Sequence, residues 1–249
     1  MAGKSRGIRV EAGAKRVRAF LSGDLVADTY QPVYVWELPY YPTYYIPASD
    51  VRAELVPTGE TQHSPSRGDA DVYHVKTASA SADRAALRYP DSPLEQLRDL
   101  VRLDWESMTE WFEESEPVYV HPRDPYKRVD ILASSRHVRV ELDGVTVAES
   151  SQPRILFETS LPPRYYLPLT DVRMELLRPS DTQTRCPYKG TASYWNIDTE
   201  RGVREDLVWI YRAPVPESQK IAGLASFYNE KVDIYLDGEL QPKPQTPFS

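Results

Sequence analysis

The chain is written twice. Sliding the sequence against itself by 121 positions lays residues 17–55 on residues 138–176 without a gap, and 18 of those 39 pairs are identical. That period is far longer than the roughly 20 to 50 residues of solenoid and propeller repeats, so each copy is expected to be a domain with its own core. With one residue inserted, the match continues: 64–70 falls on 186–192, which sets Ser64 on Cys186 and Arg67 on Lys189, and Tyr89 meets Tyr211. Residues 97–105 can then be laid on 220–228 and residues 129–131 on 232–234, which makes the first copy the longer one. The expected boundaries are 15–134 for the first domain and 136–240 for the second, with a linker near Ala133, Ser134 and Ser135 and flexible termini at 1–14 and 241–249.

Strand signals dominate both copies, so the predicted class is mainly β. Alternating runs (VRAFL from Val17, VRVEL from Val138) each lead into a Gly-containing turn, Ser22-Gly23 or Asp143-Gly144, and a second apolar run, which is the pattern of a hairpin. The triplets Asp50/Arg52/Glu54 and Asp171/Arg173/Glu175 read as same-face ion ladders on a strand. One longer helix is expected in the first domain, over about 92–116. Ser92-Pro93-Leu94-Glu95 resembles a capped start, and Leu94, Leu97, Val101, Met108 and Phe112 recur near helical spacing. A short helix is expected within 217–228 of the second copy, and the two domains are expected to form an internal pseudo-dimer.

Composition narrows the partners. No apolar run is long enough to span a bilayer, and residues 1–14 carry basic groups without an apolar segment behind them, so neither a membrane span nor an export signal is expected. A single cysteine, Cys186, fits a reducing cytoplasm. Thirty Lys and Arg are scattered among 37 acids, for a net charge of −7, which argues against duplex nucleic acid as the main partner. The four histidines are isolated, no zinc pattern exists, and no phosphate-loop or cofactor motif is legible. The cofactor is left unknown and no metal site is expected.

The sharpest local motif is Cys186-Pro187-Tyr188-Lys189-Gly190. A thiol three residues from an ammonium could be an activated nucleophile; Ser64 at the matching place favours a packing role, which leaves Cys186 a weak catalytic candidate. The cation common to Lys189 and Arg67 suits an anionic ligand, or a plain surface site. Aromatic residues Trp195, Trp209 and Tyr211, with Tyr165 and Tyr188, could wall a ligand pocket or fill a core. Trp209 and Tyr211 should face the same way.

Taken in order, VELDG (140–144), ETSLPPRYYLP (158–168), CPYKGTASYW (186–195), WIYRAP (209–214), IAGLASFY (221–228) and VDIYLDG (232–238) resemble the bacterial, plant and fungal family called domain of unknown function 427. DWESMTEWFEESE (104–116) and HPRDPYKRVD (121–130) resemble the variant unit of its tandem members. The resemblance covers about residues 15–240. It implies a β-rich unit of the β-tent type and carries a nucleotidyltransferase-like label without an established reaction. The expected function is binding of a small molecule, an anionic one among the candidates, in an aromatic-lined pocket of the second domain or between the domains. The alternatives are an enzyme, either nucleotidyltransferase-like or thiol-dependent at Cys186, and a scaffold without a ligand.

Overall fold

The computed structural model describes residues 8–246, and the chain divides into two compact units between Asp124 and Pro125. Each unit contains one seven-stranded and one four-stranded sheet, antiparallel throughout. In the first unit the large sheet runs Val10–Ala12, Val33–Val35, Thr43–Pro47, Leu100–Leu103, Ser81–Arg88, Gly68–Lys76, Glu54–Ser64. The small sheet runs Glu116–Val118, Glu110–Glu113, Val17–Leu21, Asp24–Thr29. The second unit repeats this order strand for strand. Its large sheet is Val129–Ala133, Arg154–Glu158, Arg164–Leu167, Ala225–Phe227, Gly202–Pro214, Gly190–Thr199, Leu177–Cys186, and its small sheet is Glu239–Leu240, Asp233–Leu236, Val138–Leu142, Val145–Ser150. Residues 1–7 and 247–249, part of the termini expected to be flexible, lie outside the described residues.

Local chemistry explains the shared details. The Ser22-Gly23 and Asp143-Gly144 turns place both central residues at positive φ, between 52° and 87°, the geometry that matches the twist of a two-residue hairpin. Bulges fall at the same places in both copies, after Ala19 and Val140 and again after Pro57 and Pro179. One face of each large sheet packs on the small sheet to form the main core, for example Val17, Ala19, Tyr44, Ile46, Val101 and Trp111 in the first unit. The outer face carries a second apolar cluster, with Tyr45, Val72, Leu87, Tyr89 and Leu97 in the first unit and Tyr166, Tyr194, Trp209, Tyr211 and Ile221 in the second. The expected alternation of Trp209 and Tyr211 against Ile210, which joins the main core, is thus present.

Several expectations are corrected. The long helix over 92–116 does not form: a single 3-10 turn, Glu95–Leu97, is followed by the strands Leu100–Leu103 and Glu110–Glu113. Apolar residues that fit a helical stripe also fit period two in short strands, and here each strand finds hydrogen-bonding neighbours on both sides, so tertiary pairing overrides the local signal. The short helix expected within 217–228 is present as a 3-10 helix, Pro216–Ile221, and the rest of the segment holds the strand Ala225–Phe227.

The alignment also shifts. Arg102 lies opposite Tyr45 and Ser226 opposite Tyr166, so 97–104 matches 221–228, one residue later than the sequence suggested. Glu110–Glu113 is the counterpart of Asp233–Leu236, because Trp111 faces Ala19 as Ile234 faces Val140. Val129–Ala133, assigned by sequence to the first domain, pairs with Arg154–Glu158 of the second unit, the counterpart of Val10–Ala12 pairing with Val33–Val35. Val10–Ala12 is therefore a strand within the expected flexible start. At the other end Gln241 donates its N–H to the Ile234 carbonyl (2.8 Å) and Thr246 its hydroxyl to Glu230 (2.6 Å). The ion ladders do not form on strands: Asp50 and Asp171 end 3-10 turns, although Arg173 and Glu175 still pair at 2.8 Å.

Candidate functional site

Strand alternation collects one polar cluster on the outer face of each large sheet. In the second domain Lys189 sits in the turn between Leu177–Cys186 and Gly190–Thr199, and its ammonium donates to the Glu158 carboxylate at the end of Arg154–Glu158. Both side chains are buried, 13% and 5% exposed. Gly190 makes the turn possible: its φ is +99°, and a Cβ there would meet the backbone of Ala213, Pro214 and Val215 at 3.4 Å. Burial works against the Lys189 charge, but facing Cys186, Glu158 and Tyr166 outweighs it and the pKa is raised. Tyr166 accepts a hydrogen bond from Trp209 Nε1 (3.1 Å), and burial pushes its phenol up to about 12. Burial drives Tyr211 well above the usual tyrosine range as well.

The first domain builds the same cluster with different cations. Arg67 pairs with Glu37 and donates to the Tyr45 hydroxyl (2.9 Å) and Ser64 Oγ (3.0 Å), with its guanidinium 5.3 Å from the Tyr89 ring centroid. Tyr45 donates to Glu37 (2.7 Å), and Arg102 adds a second guanidinium to that carboxylate at 3.0 Å. Burial raises the Tyr45 phenol far above its ordinary value. The matched sets are therefore Glu37 and Glu158, Tyr45 and Tyr166, Ser64 and Cys186, Arg67 and Lys189, Tyr89 and Tyr211.

Of the residues singled out in the sequence, Lys189, Cys186, Trp209 and Tyr211 come together, and Arg67 holds the equivalent place in the first domain. Tyr188 lies in the Lys189 turn, where its carbonyl accepts from Ser218 (2.9 Å). Trp195 and Tyr165 do not join them: both pack on the main core, on the opposite face of the sheet. Sequence reasoning missed the anion of the cluster. Glu37 and Glu158 are identical at matched positions in both copies, which was the available signal.

Among the described residues, a second buried ion pair occurs in the second domain without a counterpart in the first. Arg164 grips Glu230 through two hydrogen bonds, 2.6 and 2.7 Å, with exposures of 10% and 0%. Its guanidinium lies 5.5 Å from the Trp209 ring and 5.9 Å from Tyr228. Strand register gives its first-domain equivalent: Thr43 faces Val35 as Arg164 faces Leu156.

That position in the first domain opens into a cleft of about 210 Å³. Tyr44, Trp105 and Trp111 form one wall, the two indoles stacked at 4.8 Å with planes 5° apart. Tyr41 and His121, stacked at 3.9 Å, form another. Glu37, Thr43, Arg102, Asp104 and Glu106 supply the polar lining. The first copy is not the longer one, since residues 10–113 match 131–236; the extra residues are the 119–128 connection between the units, which contributes Val120, His121 and Pro122 to the cleft. Val120 is held at φ +70°, an uncommon conformation for a β-branched residue. The sequence obscures this cleft because Trp105 and Trp111 lie in the stretch whose spacing fits a helix.

The arrangement can hold a small planar molecule against indole and phenol faces while charged groups orient it. Among the described residues no three His, Cys, Asp or Glu side chains gather as metal ligands, and no helix is long and apolar enough to cross a membrane. Residues 9–114 and 130–238 each match one family model, described as "Domain of unknown function (DUF427)". No curated protein matches the chain.

Proposed function

Since the chain belongs to the family described as domain of unknown function 427 and carries its unit in tandem, we propose that it is a small-molecule-binding protein whose ligand site is the aromatic cleft of the first domain. What carries the reading is the cleft itself: about 210 Å³, walled by Tyr41, Tyr44, Trp105 and His121, with Glu37, Arg102, Asp104 and Glu106 in its lining. Ligand sites combine apolar walls with a few oriented polar groups, and typical drug-sized sites span roughly 300 to 1,000 Å³. The occupant is thus a one-ring metabolite or a comparable group of a larger molecule. In the second domain the same reading sets an acidic ligand group against Lys189, whose ammonium it would share with Glu158.

A metabolite screen by thermal shift tests this, because a ligand at 100 times its dissociation constant adds about 2.7 kcal/mol. A hit is expected to quench tryptophan fluorescence in the native chain and to lose its effect in Trp105→Leu. Hits that shift both proteins equally would move the site elsewhere.

One observation favours thiol chemistry as a second reading: Cys186 is a free, partly exposed cysteine in the same turn as Lys189. Ser64 stands in its place in the first domain, so packing is the better account. Cys186→Ser is expected to leave ligand affinity within about threefold, under 1 kcal/mol. Rapid iodoacetamide labelling of the folded chain at neutral pH would instead promote the thiol reading.

A further inference from the structure

We infer that the first-domain cleft recognises a planar organic cation, an amidinium or guanidinium group, which takes the place that the Arg164 guanidinium fills in the second domain. This rests on the cleft being a small-molecule site and goes on to assign the charge and shape of its occupant. The argument comes from comparing the two copies. In the second domain Glu230 lies two residues after Tyr228, whose N–H bonds the Leu207 carbonyl at 3.1 Å. In the first, Glu106 lies two residues after Asp104, whose N–H bonds the matching Ala85 carbonyl at 2.8 Å. Glu106 and Glu230 are therefore equivalent carboxylates, as Thr43 and Arg164 are equivalent strand positions. The second domain neutralises its carboxylate from within, by a bidentate Arg164 seated beside two aromatic rings. The first domain keeps the carboxylate but replaces the arginine by the short Thr43, and the cleft lies where both residues contribute to its lining.

The remaining charges leave that carboxylate unanswered. Glu37 is matched by Arg67 and Arg102. Asp104 accepts from Ser107 and lies 3.9 Å from Arg102. Glu106, exposed where Glu230 is buried, makes no ion pair among the described residues and is left to solvent at the cleft. Counting Glu37, Asp104 and Glu106 against Arg102 and the Arg67 behind it leaves one negative charge beside the partly buried Trp105. A carboxylate next to an indole face is the pairing that favours a flat cation, through a charge-assisted fork of hydrogen bonds and attraction to the ring quadrupole.

The test uses three probes of one shape and different charge, benzamidine, benzamide and benzoate, titrated by calorimetry against the full chain. Benzamidinium is expected to bind at least about tenfold tighter than benzamide, with benzoate weakest, the ratio a charge-assisted hydrogen bond supports. Glu106→Gln, an exposed and conservative change, should reduce the benzamidine preference to about threefold or less. Thr43→Arg should fill the cleft from within and lower benzamidine affinity by more than about tenfold while the chain stays folded. If benzoate or benzamide binds as well as benzamidine, or Glu106→Gln leaves the preference unchanged, the cation assignment is overturned and the small-molecule reading stands. If none of the three binds the native chain, the assignment fails; if the metabolite screen also yields no Trp105-dependent hit, the reading beneath it falls too.

Discussion

Lys189→Ala is expected to destabilise the second domain by about 3–5 kcal/mol, the cost of leaving a buried charge without its partner. Glu158 is 5% exposed and takes its ion pair from Lys189, so removing the ammonium leaves a buried carboxylate without its ion-pair partner. The matching change in the first domain, Arg67→Ala, is expected to cost distinctly less. Arg102 reaches Glu37 at 3.0 Å and continues to neutralise it, whereas the second domain has Ser226 at that position. Hydrogen exchange resolved by peptide reports each domain separately in the intact chain. The expected pattern is a large loss of protection in the second domain for Lys189→Ala and a smaller one in the first for Arg67→Ala. Pairing Lys189→Ala with Glu158→Gln should recover part of the loss, because no stranded charge remains. Equal losses in the two domains, or no recovery in the double variant, would refute this account of the cluster.

The second large effect is expected at Trp111, where alanine should cost the first domain about 3–5 kcal/mol. The side chain is 4% exposed, stacks on Trp105 at 4.8 Å, sits 5.7 Å from Tyr44 and donates its indole N–H to the Trp105 carbonyl at 3.1 Å. Truncation leaves a void between the two sheets and removes the surface that holds Trp105 flat against the cleft. Trp111→Phe keeps an aromatic stack and should lose less than half as much. Denaturant unfolding followed by circular dichroism checks both, with the first domain's transition moving to lower denaturant. A Trp111→Ala transition that coincides with the native one would show that the stack carries little of this core.

Much of the fold was legible. The duplication, the strand class, the Asp143-Gly144 hairpin and the two-faced alternation around Ile210 follow from spacing alone, because a β-strand converts sequence parity directly into sheet face. The pairing of Arg67 with Lys189 and of Ser64 with Cys186 also came from the repeat. What misled was the stretch 92–116, where Leu94, Leu97, Val101 and Phe112 fit helical spacing while Leu100–Leu103 and Glu110–Glu113 each had open edges to pair with. Local periodicity cannot register a neighbouring strand that comes from 90 or more residues away in the chain.

The candidate sites divide the same way. Sequence by itself determined that two copies of one β unit exist and that a cation and two tyrosines recur in both, since those facts depend on residue identity and order. Only the tertiary structure decided which partner each charge has: Glu158 for Lys189, two arginines for Glu37, Arg164 for Glu230, and no ion-pair partner among the described residues for Glu106. Ion pairing depends on which strands lie side by side and which face each residue presents. A replacement as plain in the sequence as Arg164 by Thr43 becomes a cleft only when the fold sets that position beside the carboxylate it no longer neutralises.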